Sequence, residues 1–135
     1  MQTTQYATRY AEAQVMSVDP KRLLLLMFEG GTRFLGRCRE ALVAGQLERF
    51  SENLARAQAI ISELMNTLDH RAGGQIATDL ARLYEFMLFH LTEANVKRSL
   101  QHVDDVIRVF AIVSDGFRQI LATEAPSAGQ SVAAQ

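Results

Sequence analysis

The stretch LERFSENLARAQAIISELMNTL, residues 47–68, decides the fold. Leu47, Phe50, Leu54, Ala57, Ile61, Leu64 and Leu68 follow one another three and four residues apart without a break. That spacing draws one continuous apolar seam along an α-helix. A seam of this kind must be covered by other helices, so the neighbouring sequence is read for partners.

Upstream, Ala44-Gly45 ends a preceding helix, because glycine readily takes the left-handed conformation that closes a helix C-terminus. That helix starts at Asp19-Pro20, with aspartate as the cap and proline in the first turn, where its missing N–H costs nothing. Leu23, Met27, Phe34, Cys38 and Leu42 form its first apolar row, and Leu24, Phe28 and Leu35 a second. Gly30, Gly31 and Gly36 lie inside it. Each costs about 1 kcal/mol relative to alanine, so a close helix approach, a kink or a partner backbone should compensate.

Downstream, Asp69 to Gly74 reads as a turn. A third helix is predicted from about Gln75 to Arg98, with Ile76, Leu80, Leu83, Met87, Leu91 and Ala94 on its inner side and Lys97 and Arg98 set against the helix dipole. Ser99 caps a fourth helix that runs from Leu100 to about Ala122. The only two prolines, Pro20 and Pro126, bracket this region. Near-equal rods of about 35 Å joined by short turns pack as an antiparallel four-helix bundle. The expected organisation is therefore all-α. Residues 1–18 form an N-terminal segment, helical or extended, that could cover a groove; residues 19–122 form the bundle, and residues 123–135 a disordered tail.

Composition narrows the function. The chain has 135 residues and is 48% hydrophobic, which suits one globular domain rather than a disordered chain. With 14 basic and 15 acidic residues there is no cationic excess for nucleic acid. The longest apolar run, Leu23 to Phe28, is too short to insert in a membrane, and residues 1–14 do not resemble a signal peptide. The single cysteine, Cys38, fits a reducing compartment. A cytoplasmic location is expected.

Catalytic and metal motifs are not evident. No glutamate is followed three residues later by a histidine, as a di-iron bundle requires, and His70, His90 and His102 look too scattered for a metal cluster. Asp104 and Asp105 diverge on a helix and read as partners of its N-terminus. No cofactor, metal or enzymatic activity is expected; the chain reads as one that holds another protein.

The fourth helix has more apolar surface than a bundle uses. One seam is Leu100, Val103, Ile107, Phe110, Phe117 and Leu121; a second is Val106, Val109, Val113 and Ile120, with Gly116 in register. Tyr84, Leu88 and Leu91 widen the third helix in the same way. Either one helix sits centrally, or the surplus is a groove for a partner segment. Tyr6, Tyr10 and Ala13 share a helical face and are candidates to cover it. Asn95 could cap a backbone group or bond an extended ligand chain.

Taken in order, several motifs resemble the flagellar secretion chaperone FliS family. They are Tyr10, Val15 and Asp19-Pro20; Leu26-Met27-Phe28-Glu29-Gly30; Arg56 to Leu64; Leu83-Tyr84; and Ala94-Asn95. The resemblance spans roughly Tyr6 to Leu121. Phe28 and Glu29 stand where the family has tyrosine and aspartate, Asp19 where serine is common, and Phe117 near a frequent tryptophan. The resemblance implies a cytoplasmic chaperone that binds the disordered C-terminal segment of flagellin, prevents its premature polymerisation and presents it to the type III export apparatus. The export gate and other flagellar regulatory proteins are further partners to consider, as is a weak homodimer. Periodicity and motif position together place the partner surface on Tyr84, Leu88, Leu91 and Asn95 with Val106, Val109 and Val113, and Tyr6 and Tyr10 in the displaceable cover. A self-associating structural or regulatory bundle is the alternative function.

Overall fold

A computed structural model describes residues 19–134, with side chains as far as Thr123. Four helices make up this region: α1 (Pro20–Val43), α2 (Leu47–Asn66), α3 (His70–Lys97) and α4 (Leu100–Ala134). Each packs against its neighbours in sequence, and α1 closes the ring against α4. The result is the expected antiparallel four-helix bundle.

Local chemistry sets the helix ends. Asp19 Oδ1 accepts the Lys21 N–H at 2.9 Å, and Pro20 occupies the first turn. At the other end of α1, Gly45 takes φ 72°, so that its N–H reaches the Leu42 carbonyl at 3.1 Å and the Gln46 N–H reaches that of Ala41 at 2.9 Å. These two bonds form a Schellman closure, which the glycine makes possible. The Asp69 side chain accepts from the Arg71 and Ala72 amides at 3.0 and 3.1 Å, so α3 begins earlier than the expected start at Gln75. Only one turn forms before Gly74, at φ 51°, kinks the helix. Arg98 is left-handed at φ 53°, and Ser99 Oγ accepts the His102 N–H at 3.3 Å. The backbone of α4 remains helical to Ala134, past the end expected near Ala122.

The middle of the α2 seam is buried as its spacing predicts, with Phe50, Leu54, Ala57, Ile61 and Leu64 at most 2% exposed. Leu47, in the first turn where no helix covers it, is 46% exposed, and Leu68 lies beyond the helix end and is half-buried. From α1, Phe28, Leu35, Cys38 and Ala41 face them. On α3 the phase differs from the sequence expectation. Ala77, Tyr84, Met87, Leu91 and Ala94 are buried, whereas Ile76 and Leu83 are exposed. From α4, Val103, Val106, Phe110 and Val113 complete the core. Phe28 stacks at 5.6 Å from Phe110 and 5.0 Å from Phe117, which sets the register of α1 against α4.

Two of the three glycines inside α1 are explained by packing. A methyl group on Gly31 would run into the Phe110 ring, and one on Gly30 would sit 3.2 Å from Ile60 Cδ1. Gly36 has open space around it. Close approach of helices therefore accounts for Gly30 and Gly31, and nothing in the structure explains Gly36.

Candidate functional site

The apolar surplus exists, but its residues differ from those predicted. Tyr84, Leu91 and Val106 are at most 1% exposed and Val113 is 6% exposed. These four belong to the bundle's own core, and of them Tyr84 alone also borders the apolar cleft at one end of the bundle. The reason lies in α3 and α4, which are apolar around so much of their circumference that periodicity fits more than one phase. Leu88 and Val109 are half-buried and border the core. Asn95 is exposed and accepts from Arg98 Nη1 at 3.3 Å, a contact within its own helix end. Tyr6 and Tyr10 lie outside the described residues.

The uncovered apolar surface sits mainly on the outer faces of α3 and α4. Ile76, Leu83, Phe86 and Phe89 on α3 and Ile112 and Ile120 on α4 are all exposed, Ile76 at 71% and Ile112 at 67%. Helical geometry aligns Ile76, Leu83, Phe86 and His90 along one side of α3, and Val109, Ile112, Gly116 and Ile120 along one side of α4. His90 touches His102, so that side of α3 is the one bordering α4. Continuing the antiparallel register from this contact sets Leu83 opposite Val109 and Ile76 opposite Gly116. Gly116 has no neighbour within 4 Å of the position a side chain would take, so it leaves a dent in the strip.

At the end of the bundle where α1 begins, the strip runs into an apolar cleft. This cavity, of about 330 Å³, is walled by Leu24 of α1, Leu68 of the α2–α3 turn, Ile76, Leu80 and Tyr84 of α3 and Phe117 of α4. A second hollow of about 210 Å³ adjoins it through Leu24 and Thr67 and includes Pro20, Leu23 and Met27. Ile76 belongs to both cleft and strip, so the two form one apolar track. Polar chemistry inside the track is sparse. Burial pushes the Tyr84 hydroxyl up to about 12, so it stays neutral at physiological pH.

Elsewhere on the bundle, charges pair with one another. Arg39 Nε donates to Asp104 Oδ1 at 2.7 Å, tying α1 to α4, and Lys97 meets Glu93 at 2.8 Å. Asp104 thus serves an interhelical ion pair rather than the helix N-terminus. The expectation that the histidines are scattered is also corrected. The α3–α4 turn folds His90 and His102 together, Nδ1 to Nδ1 at 2.8 Å, although 12 residues separate them in sequence. His102 is half-buried rather than solvated. Cys38 is buried as expected for a structural thiol, and burial pushes it up to about 12. Among the described residues no helix is long and apolar enough to cross a membrane.

The chain is similar to known proteins over most of its length. It is 34% identical to the flagellar secretion chaperone FliS of Salmonella typhimurium across 116 residues, covering 85% of this chain and 86% of the relative. It is also 34% identical to the flagellar secretion chaperone FliSB of Pseudomonas aeruginosa, covering 84% and 90%. A crystal structure of a bacterial flagellar chaperone shares the fold, with a TM-score of 0.71 at 21% identity, over 90% of this chain and 98% of that one. The family model described as flagellar protein FliS matches residues 1–124. With bundle, motif order and family model in agreement across nearly the whole sequence, the chain belongs to the FliS family of flagellar proteins.

Proposed function

We propose that the protein is a cytoplasmic export chaperone, not an enzyme, whose client is the disordered C-terminal segment of flagellin. The observation that carries this reading is the continuous apolar track from the cleft at Tyr84 and Phe117, through Ile76, to Leu83, Phe86 and Ile112. The names of the relatives, flagellar secretion chaperones, support the choice of client. A segment destined to pack against copies of itself carries an apolar stripe, and the track can hold that stripe out of water until export. The cleft suits a few bulky side chains, while the strip suits an amphipathic helix laid between α3 and α4. Ordering the segment costs about 2–5 kcal/mol or more, which only an extended apolar contact outweighs. Covering the stripe keeps flagellin from polymerising early, and the complex is then handed to the type III export apparatus.

Residues 1–18 are the cover in this reading. They join the bundle at Pro20, on the rim of the cleft, and a chain of this length reaches along the whole track. Tyr6 and Tyr10 would supply the bulky groups that the client displaces.

Calorimetry with a flagellin C-terminal peptide, paired with size-exclusion chromatography, tests this. A one-to-one complex is expected, weakened at least about tenfold by Phe86→Asp or Ile112→Asp, since each places a charge in a desolvated contact. Both residues are exposed, so circular dichroism should show an intact bundle in either variant. Deleting residues 1–10 should tighten binding by removing the competitor. Full affinity in both aspartate variants would refute the track as the client site. A self-associating protein indifferent to the peptide would favour the structural or regulatory bundle instead.

A further inference from the structure

We infer that His90, His102 and Asp105 form a binding site for a borderline divalent transition-metal ion, of which Zn²⁺ is the reference, joining α3 to α4. The ligand atoms of these three half-buried residues lie within 4.8 Å of one another. His102 and Asp105 are three residues apart on α4 and share a face, and His90 reaches them from α3. Two imidazoles and one carboxylate suit Zn²⁺, Ni²⁺ or Cu²⁺, and suit poorly the oxygen-seeking Mg²⁺ and Ca²⁺.

Geometry favours the ion. With metal–nitrogen bonds of about 2.0–2.1 Å, two cis ligands are about 2.9 Å apart in an octahedral site and about 3.3 Å in a tetrahedral one. The observed 2.8 Å between the Nδ1 atoms is close to the first, and both rings turn so that the lone pairs now meeting in one hydrogen bond converge on the ion. The surroundings hold the ligands in place, as outer partners do in metal sites. Asp105 Oδ1 accepts from Gln101 Nε2 at 2.9 Å and from Arg108 Nη2 at 2.8 Å, bonds that orient the carboxylate and that Oδ2 does not share. The Phe86 ring lies 4.0 Å from the His90 ring, and Phe89 meets it edge-on at 5.4 Å. Glu93 adds negative charge near both imidazoles, which favours a cation.

Without metal, the 2.8 Å contact needs a proton on one of the two nitrogens. An ion needs both Nδ1 lone pairs, so loading the site moves that proton to the Nε2 of the same ring, the other tautomer of a neutral imidazole. The bound ion would also fix the spacing of the two helices whose outer faces form the apolar strip.

Titrating ZnCl₂ into the full chain by calorimetry should give one equivalent bound, with MgCl₂ giving no heat. His90→Ala and His102→Ala should each weaken binding at least about tenfold, since loss of even an outer partner costs that much. His70→Ala, at the exposed first residue of α3, should leave it unchanged. Zn²⁺ should also protect His90 and His102 of the unmodified protein from diethylpyrocarbonate, a readout that does not depend on the variants folding. Absence of binding, binding that persists in both alanine variants, or modification of these histidines at the same rate with and without Zn²⁺ would each overturn the assignment.

Discussion

Replacing Gly31 by alanine, with Gly36→Ala as its control, tests the closest helix approach in the bundle. Both glycines lie within α1, so each substitution gains about 1 kcal/mol of helix propensity. Their surroundings are opposite. A methyl at Gly31 would stand 2.9 Å from Phe110 Cε1 and 3.1 Å from Cε2, well inside the about 3.5–4.0 Å at which carbons rest. Phe110 is 1% exposed and packs on Phe28, so the ring cannot retreat into solvent. Such overpacking costs about 1–3 kcal/mol, which leaves Gly31→Ala between neutral and about 2 kcal/mol destabilised. Gly36→Ala meets nothing within 4 Å and should be stabilised by about 0.5–1 kcal/mol. The gap between the two variants is therefore about 1–3 kcal/mol. With an unfolding entropy of about 2.1 cal/mol/K per residue over 135 residues, it corresponds to about 4–11 °C in Tm. Thermal and urea unfolding followed by circular dichroism reads it directly. Trimming the ring by Phe110→Leu should lessen the penalty at position 31. Equal stabilisation by both alanines would show that α1 and α4 do not approach as described.

Two further outcomes concern stability. Burial raises the Cys38 thiol from 9.0 and the Tyr84 hydroxyl from 10.0 to about 12, so both folded-state values exceed the unfolded ones. Their contribution is then complete below about pH 9 and is lost as pH climbs towards about 12, because the unfolded chain gives up these protons first. Urea midpoints should fall across that window, less steeply in Cys38→Ala, and native Cys38 should resist iodoacetamide until urea is added; rapid labelling of the folded protein would contradict its burial. Asp19→Ala removes the side-chain acceptor of the Lys21 amide and should cost about 1 kcal/mol, measured by urea unfolding, with Asp19→Ser recovering most of it.

How much of this could be read from residues alone varied along the chain. Helix α2 was legible from Phe50 to Leu64, because its single narrow seam allows one phase only, while Leu47 in its first turn is exposed. The ends of α1 were legible too, since Asp19, Pro20 and Gly45 act through local backbone chemistry. Helix α3 was not. Leu80, Met87, Leu91 and Ala94 fit a seam with Ile76 and Leu83 or one with Ala77 and Tyr84. Only the positions of α2 and α4 select the second. The candidate site suffers from the same ambiguity: periodicity sets Tyr84, Leu91, Val106 and Val113 outward although they fill the core, and it does not single out Phe86 and Ile112. The signal that could have found them is the rest of each wheel: once Met87 and Phe110 are set inward, Phe86 and Ile112 must point out. The histidine pair was hidden for another reason. Contact between residues 12 apart depends on where the intervening turn reverses the chain, and that is a property of the hairpin rather than of either helix.

The closing of the ring by α1 against α4 has a practical consequence. Phe28 and Phe117 meet near the first turns of α1, so the chain enters and leaves the bundle at the same pole, the one that holds the cleft. A bulky insertion directly before Asp19 therefore abuts the hollow at Pro20 that adjoins the cleft. The opposite pole carries the turns at Gly45 and Arg98, both solvent-exposed. Probes inserted in these turns stand a full helix length from the cleft.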